Sequence, residues 1–278
     1  MGTLYLVATP IGNLEDMSPR AVRTLRETRL IAAEDTRHTR QLLTHFDLHT
    51  PLTSYFEHNK LAKLDKILSA LVEGDVALVS DAGMPGINDP GYELVKAALD
   101  AGHAVSPLPG PSAPIAALAA SGLPTDSFLY LGYLPRNSTD RREFLQGVAA
   151  LHYTLVFLET PHRLQAALDD LLTVLGDRSM TAARELTKLH EQFVRGQVSE
   201  VREHFSQHEP RGEFVLVVAG QRGSAPERWT DEQLQLAITR EMNRGGKTKE
   251  ISSRLAVESG WSKKEIYSFM NRDSVKGK

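Results

Sequence analysis

Hydrophobic and polar positions in this chain follow two alternating patterns. Short, nearly continuous apolar runs have the length of buried strands, and longer segments between them repeat their apolar positions at helical spacing. In the first part of the chain the runs are residues 4–9, 30–33, 76–79 and 104–108. Ser18-Pro19 opens a helix with Val22 and Leu25 on one face, and a second helix is expected from about Thr39 to Phe46. Residues 60–71 are amphipathic, with Leu64, Ile67, Leu68 and Leu71 on one stripe. A long loop rich in Gly, Pro and Asp, residues 80–91, follows the third run. Asp89 as N-cap and Pro90 as first helical residue would end it, in a helix bearing Val95, Ala98 and Leu99 with Gly102 as C-cap. Residues 113–120 form a small apolar helix closed by Gly122. Such alternation of strand and helix predicts an α/β fold with a mostly parallel sheet.

A second unit of the same kind begins with a strand over 128–134 and a helix over 139–150. Next come a strand over 154–158, a helix over 161–172 capped by Thr160, and a strand at 180–183. Segments 191–201 and 213–219 follow with no long helix expected between them, which predicts antiparallel pairing. Residues 221–228 read as a linker, and beyond them the pattern is helical. Thr230 with Gln233, and Ser262 with Glu265, have capping-box spacing. Ile251 and Leu255 share one helix face, Ile266 and Met270 another, and Gly260-Trp261 joins the two helices. With Lys263 and Lys264 at the start of the last helix, a helix-turn-helix and a plain helical hairpin fit equally well. The expected division is 1–112 and 113–222 as two α/β domains and 229–278 as a helical tail.

Composition narrows the chemistry. The 278 residues contain no cysteine, which excludes disulfides, thiol nucleophiles and cysteine-ligated metals and fits a reducing, cytoplasmic setting. No apolar run approaches the roughly 18 residues of a membrane helix, and the start has no basic segment of the kind that begins a signal peptide. Net charge is −3, unevenly spread: from Gln221 onward twelve Lys or Arg face eight Asp or Glu, leaving −7 on the preceding chain. A basic tail behind an acidic body suggests contact with a polyanion.

Five strand ends carry unusual polar sequences: Glu34-Asp35-Thr36-Arg37, Ser80-Asp81-Ala82-Gly83, Pro109-Gly110-Pro111-Ser112, Glu159-Thr160-Pro161-His162-Arg163 and Arg184-Glu185-Leu186-Thr187-Lys188. Taken singly, each is a cap or a turn, and capping accounts for Thr160 and Ser112. If the strands run parallel, however, the five loops meet at one edge and form a crevice. Familiar sites are missing. No two glycines are separated by one residue, so the dinucleotide fingerprint is absent. Gly245-Gly246-Lys247-Thr248 resembles the end of a P-loop, but Glu241 stands where its first glycine belongs. His190-Glu191 fails as a zinc-protease motif because Val194 replaces the second histidine. The pairs His45/His49 and His204/His208 lack a third ligand, and no metal is expected.

Thr9-Pro10-Ile11-Gly12-Asn13-Leu14, Ala32-Ala33-Glu34-Asp35-Thr36-Arg37-His38-Thr39, the 80–91 loop, Leu108-Pro109-Gly110-Pro111-Ser112, Glu159-Thr160-Pro161-His162-Arg163 and Ala183-Arg184-Glu185-Leu186-Thr187-Lys188 occur together and in order. Over roughly residues 3–220, and less distinctly in the tail, this set resembles a bacterial family of small-subunit ribosomal RNA methyltransferases within the tetrapyrrole-methylase-like superfamily. Met84 departs from the family's common Thr, and Leu158-Glu159-Thr160 from its aromatic-Glu-Ser. The resemblance implies two α/β domains with S-adenosylmethionine in the cleft between them, plus a small C-terminal helical domain. It implies methylation of the 2′-oxygen of a cytidine ribose in the decoding region of 16S rRNA, by a homodimer acting on that RNA or on the small ribosomal subunit.

By the same analogy Pro10, Ala82, Gly83, Met84, Ile87, Ser112, Ala113, Leu158 and Leu186 would line the cofactor. Asp81 and Glu34, then Asp35, Glu159 and His162, are the candidates for removing the hydroxyl proton, on loop position. Arg37, Arg163, Arg184 and Lys188, with Lys263 and Lys264 of the tail, would hold RNA phosphates. Against this, Glu34, Arg37, Glu159 and Arg163 could be ion pairs that brace the loops. Two other functions fit the same chain. One is a small-molecule tetrapyrrole methylase, which would have no use for a basic tail. The other is a regulator that binds nucleic acid through the tail and senses a ligand through the body.

Overall fold

The computed structural model describes residues 2–221, 228–244 and 248–273. It forms two compact units, Met1–Gly220 and Gln221–Lys278. The first unit begins with a parallel five-stranded sheet of order β3-β2-β4-β1-β5. Its strands are β1 (Thr3–Val7), β2 (Leu30–Ala33), β3 (Leu52–Ser54), β4 (Val76–Val79) and β5 (Ala104–Leu108). Helices α1 (Pro19–Glu27), α2 (Thr36–His45), α3 (Lys60–Glu73) and α4 (Tyr92–Asp100) connect them. Every residue of β2 and β4 is buried, so these strands are apolar throughout rather than alternating. The two-residue period still sorts their side chains. Val76 and Leu78 pack with Ile67 and Leu71 of α3 and Leu94 of α4, while Ala77 and Val79 pack with Leu25 of α1 and Leu43 of α2. Each fully buried aliphatic side chain contributes roughly 1.5–3 kcal/mol, so the central strands hold the loops at their carboxyl ends firmly.

Helix α5 (Ala113–Ser121) leads to a second five-stranded sheet of order β6-β7-β10-β8-β9. Its strands are β6 (Phe128–Tyr133), β7 (Thr154–Glu159), β8 (Ser179–Arg184), β9 (Gln192–Gln197) and β10 (Phe214–Val218). β6 and β7 are parallel, β10 runs antiparallel to β7 and β8, and β9 antiparallel to β8. Strands β6, β7 and β8 therefore share one direction. Helices α6 (Ser138–Val148), α7 (Pro161–Leu175) and α8 (Val198–Gln207) cover the face bearing Leu155, Phe157 and Leu216. On the other face Val156 and Val217 pack against Ala117 and Leu118 of α5, while Ala183 and Val215 help to line a cavity.

Several local expectations need correction. The expected antiparallel pairing is present, but α8 occupies the second part of segment 191–201 and the connection to β10. Val198, Val201 and Phe205 are its buried stripe, and Gln197 and Glu200 cap it reciprocally. Strand β3 is absent from the sequence reading because three residues are too few to show a period. Helix α2 starts at Thr36, ahead of the expected Thr39, because the Asp35 carboxylate accepts the Arg37 N–H at 2.8 Å. Helix α4 starts at Tyr92 with Gly91 as N-cap, not at Pro90 behind Asp89. Ser112 and Thr160 occupy N-cap positions, but neither side chain makes a capping bond.

In the second unit α9 (Asp231–Asn243), α10 (Thr248–Glu258) and α11 (Lys263–Asp273) enclose Leu234, Ile238, Ile251, Leu255 and Ile266. Both expected capping boxes are present, on Thr230/Gln233 and Ser262/Glu265. Trp261 Nε1 donates to the Trp229 carbonyl at 2.8 Å, and the Arg228 guanidinium lies 4.0 Å over the Trp261 ring. Helix α9 thus turns the expected hairpin into a three-helix unit. Most of the linker at 221–228, and Gly245, Gly246 and Lys247, lie outside the described residues. Among the described residues no helix is long and apolar enough to cross a membrane.

Candidate functional site

A cavity of about 260 Å³ lies where the carboxyl ends of the first sheet meet the open face of the second. The first sheet supplies Ile11 after β1, Glu34 after β2, the Asp81–Asp89 stretch after β4 and Ser112 to Pro114 after β5. The second sheet supplies Tyr130 and Tyr133 from β6, Leu158 from β7, Ala183 and Leu186 at the end of β8, and Glu213 to Val215 at the start of β10.

The loop after β4 is held at both ends. Thr9 and Gly83 exchange backbone hydrogen bonds of 2.9 and 3.0 Å, tying the loops after β1 and β4 together. The Gly83 N–H and C=O are thereby both taken up by Thr9. Further along, a Cβ on Gly91 would lie 2.8 Å from Gly86 Cα, so the loop closes on itself only because residue 91 is glycine, while Gly86 supplies a φ of +82°. Asn88, at φ +62°, rests its side chain where a Cβ of Gly132 in β6 would sit, which links this loop to the second sheet. The register of β6 shifts between Tyr130 and Tyr133. Side chains three residues apart in a strand ordinarily point to opposite faces, and the shift lets both tyrosines reach the cavity. Glu185 and Thr187 flank Leu186 at φ +50° and +64°, two strained positions that set Leu186 in the wall.

The walls carry four carboxylates, Glu34, Asp81, Asp89 and Glu213, and no Lys, Arg or His among the described residues. Glu34 and Asp81 belong to a crossed arrangement at the ends of β2 and β4. The Asp81 N–H donates to Glu34 Oε2 at 3.3 Å, and the Asp35 N–H donates to Asp81 Oδ1 at 3.1 Å. Burial pushes the Glu34 carboxyl up, and the charges of Asp81 and Asp35 add to this although the Asp81 amide opposes it. Asp89 is pushed up to about 6 by burial and by Glu34 and Asp81, against a hydrogen bond from Ser80. Burial also raises Tyr130, to about 12, and Tyr133. Among the described residues no three His, Asp or Glu side chains are grouped so as to hold a metal ion.

The sequence candidates divide clearly by position. Ala82, Gly83, Met84 and Ile87 line the cavity from one side, with Ser112 and Ala113, and Leu158 and Leu186 line it from the other. Pro10 is not on the wall, and its neighbour Ile11 is. Glu34 and Asp81 are on the wall, whereas Asp35, Glu159 and His162 are not. Asp35 caps α2 and pairs with Arg37 at 2.7 Å, which holds its carboxyl well below the usual range. Glu159 is fully buried, accepts the Thr160 N–H at 2.8 Å and pairs with Arg163 at 3.2 Å. Burial raises its carboxyl, and Thr160 and Arg163 oppose the shift. Arg163 turns inward and also donates to the Leu134 and Pro135 carbonyls. Loop bracing by ion pairs therefore applies to Glu159 with Arg163, while Arg37 braces Asp35 instead of Glu34.

His162 is exposed in the first turn of α7. Arg184 donates to the Arg211 carbonyl at 2.6 Å. Lys188 bridges Glu185 at 3.0 Å and Glu213 at 3.2 Å; burial lowers its pKa, but the two carboxylates outweigh that and hold it up. Lys263 and Lys264 are exposed at the start of α11. Sequence reasoning missed Asn88, Asp89, Tyr130, Tyr133 and Glu213. The available signal for Asp89 is its place in the glycine-rich loop, although Asp before Pro also points to a helix cap.

Two α/β sheets that enclose a ligand-sized, acid-lined cavity at their strand ends define a class of two-domain α/β proteins with the ligand site between the sheets. The chain belongs to the tetrapyrrole (corrin/porphyrin) methylase family, whose pattern matches residues 3–202. It is 46% identical to a protein of Halalkalibacterium halodurans named ribosomal RNA small subunit methyltransferase I, over 98% of this chain and 96% of that one. It is 48% identical to a protein of the same name from Synechocystis, over 96% of each. Among solved structures it shares the fold of the cobalt precorrin-4 methyltransferase CbiF, with a TM-score of 0.59 at 14% identity over 78% of this chain and 94% of that one. The uroporphyrin-III C-methyltransferase of Thermus thermophilus, complexed with S-adenosyl homocysteine, gives 0.54 at 22% identity over 78% and 97%.

Proposed function

We propose that this chain is an S-adenosylmethionine-dependent methyltransferase of small-subunit ribosomal RNA that modifies the 2′-oxygen of a cytidine in the decoding region. Relatives matched over nearly their whole length bear the name of a small-subunit rRNA methyltransferase. The observation that carries the reading is the charge of the cavity: four carboxylates and no cation among the described lining residues. Bound S-adenosylmethionine would supply an activated methyl group on a positively charged sulfur. The residues present fit it. Glu34, Asp81 and Asp89 face a cation favourably, and Ile11, Leu158, Leu186 and Val215 offer an apolar bed for an adenine ring and a methionine chain. Ser112, whose side chain makes no capping bond, leaves a hydroxyl at the wall for polar contact.

The same charge bears on the acceptor. A tetrapyrrole rich in carboxylates would meet like charges on the cavity wall. A ribose hydroxyl is neutral and can enter while the RNA phosphates stay outside. Arg37, whose side chain is 86% exposed, with Lys188, Arg184 and the tail's Lys263 and Lys264, are the proposed phosphate contacts. Arg163 is assigned to bracing the loop after β7. In-line displacement depends strongly on positioning, and the tied loops after β1 and β4 provide a rigid wall for it.

The test is methyl transfer from labelled S-adenosylmethionine to small ribosomal subunits, naked 16S rRNA and a tetrapyrrole precursor in parallel. Label in either RNA substrate is the expected result. Label in the tetrapyrrole alone would overturn the RNA reading while leaving the fold and cofactor in place.

A further inference from the structure

The cavity has four carboxylates, and three of them are committed to the protein's own architecture. Glu34 accepts the Asp81 amide, Asp81 accepts the Asp35 amide, and Glu213 is paired with Lys188. Asp89 differs. It is not the cap of α4, since Gly91 holds that position. It sits on the wall beside the buried Ser80 hydroxyl, at the end of a loop fixed by the Gly86–Gly91 approach and by Asn88 against Gly132. The loop thus brings into the cavity a carboxylate whose partner is the Ser80 hydroxyl and which, among the described residues, holds no backbone amide and no cation. The ionisable groups acting on it or facing it are Glu34 at the end of β2, Asp81 after β4, and Tyr130 and Tyr133 of β6. None is a cation.

Resting on the methyltransferase reading, we infer that Asp89 is the catalytic residue that accepts the proton of the hydroxyl nucleophile. The acceptor oxygen forms its bond to the methyl carbon as the carbon–sulfur bond breaks, with that electron pair left on sulfur. The hydroxyl proton passes to the Asp89 carboxylate and from there to water, so charge and atoms balance with no further reactant. A general base works best when its affinity for protons is near that of the medium. Burial and two like charges move Asp89 toward that condition, to about 6. Ser80 tempers the shift, and Tyr130 and Tyr133, both held in the protonated form, add no charge near neutral pH.

Two measurements test this, one of them independent of turnover. Infrared difference titration of the ligand-free protein against Asp89→Asn is expected to show a protonated-carboxyl band that is lost with a midpoint near pH 6 in the unsubstituted protein only. Single-turnover methyl transfer to small ribosomal subunits is expected to rise with pH through a midpoint below that of the ligand-free protein, because the bound sulfonium favours the ionised carboxylate. In Asp89→Asn it should fall ~100-fold or more and lose that rise, while S-adenosyl homocysteine binds within about threefold of normal by calorimetry. Asp89→Glu should recover part of the rate, and Ser80→Ala should move the midpoint to higher pH. An infrared midpoint at the ordinary aspartate value, or an Asp89→Asn rate within about threefold of normal with its pH dependence intact, would overturn the assignment. A protein that transfers no methyl group to any RNA overturns the RNA-methyltransferase reading on which the assignment rests. The infrared titration, which needs no RNA, tells the two failures apart.

Discussion

Asp89 reaches the cavity wall because α4 begins two residues beyond Pro90. Asp before Pro is a strong helix-start signal, and on that signal the side chain should cap α4. The close approach of Gly91 to Gly86 moves the helix start onward and leaves Asp89 facing the cavity. Glu34 and Asp81 were legible because they stand one and two residues beyond fully buried apolar strands. The inward turn of Arg163 was not, since its partners Leu134 and Pro135 lie far off in sequence. The environment of Asp89 has a consequence for stability. A carboxyl raised in the folded state is proton-bound in both states at low pH and costs nothing there. As pH rises through about 6, the folded protein must hold a charge that the unfolded chain carries freely, and stability is lost. Asp89→Asn removes that cost. At about pH 8 it should be more stable than the unsubstituted protein by about 1–2 kcal/mol in urea unfolding, water screening part of the cost at this half-buried carboxylate, with the difference shrinking toward about pH 4. Equal or lower stability of the variant at the higher pH would contradict the environment described.

At the scale of elements, the strands that were easiest to read are those buried on both faces. Continuous apolar runs such as Val76–Val79 admit one interpretation once they are bounded by turns. Strand β3 is too short for any period, and α8 was merged with β9 because its buried stripe begins at Val198, directly behind the strand. The register shift in β6 that aligns Tyr130 and Tyr133 has no local sequence signature beyond Gly132. Loop closure is the element-level property on which the site depends most. Gly91→Ala would set a Cβ 2.8 Å from Gly86 Cα, a backbone conflict that no side-chain rotation relieves. It should destabilise the protein by about 1–3 kcal/mol and weaken S-adenosyl homocysteine binding severalfold in calorimetry. Unchanged stability and affinity would show that the loop tolerates opening and does not shape the site.

On the scale of the whole molecule, the alternation of strands and helices was enough to read an α/β fold, and the charge imbalance singled out the tail. The sequence did not show that α9 joins α10 and α11 in one core, because Leu234 and Ile238 lie far from Ile251 and Ile266 along the chain. Removing residues 229–278 should weaken RNA binding and flatten its salt dependence, as loss of phosphate contacts requires, and leave S-adenosyl homocysteine binding nearly intact. Full activity on small subunits after that removal would exclude the tail from recognition. The central claim concerns the atom that receives the methyl group. Its most direct test is digestion of labelled small-subunit RNA to nucleosides, followed by identification of the labelled species by chromatography and mass. The account predicts label in 2′-O-methylcytidine; label on a base, or on the ribose of another nucleoside, would contradict it.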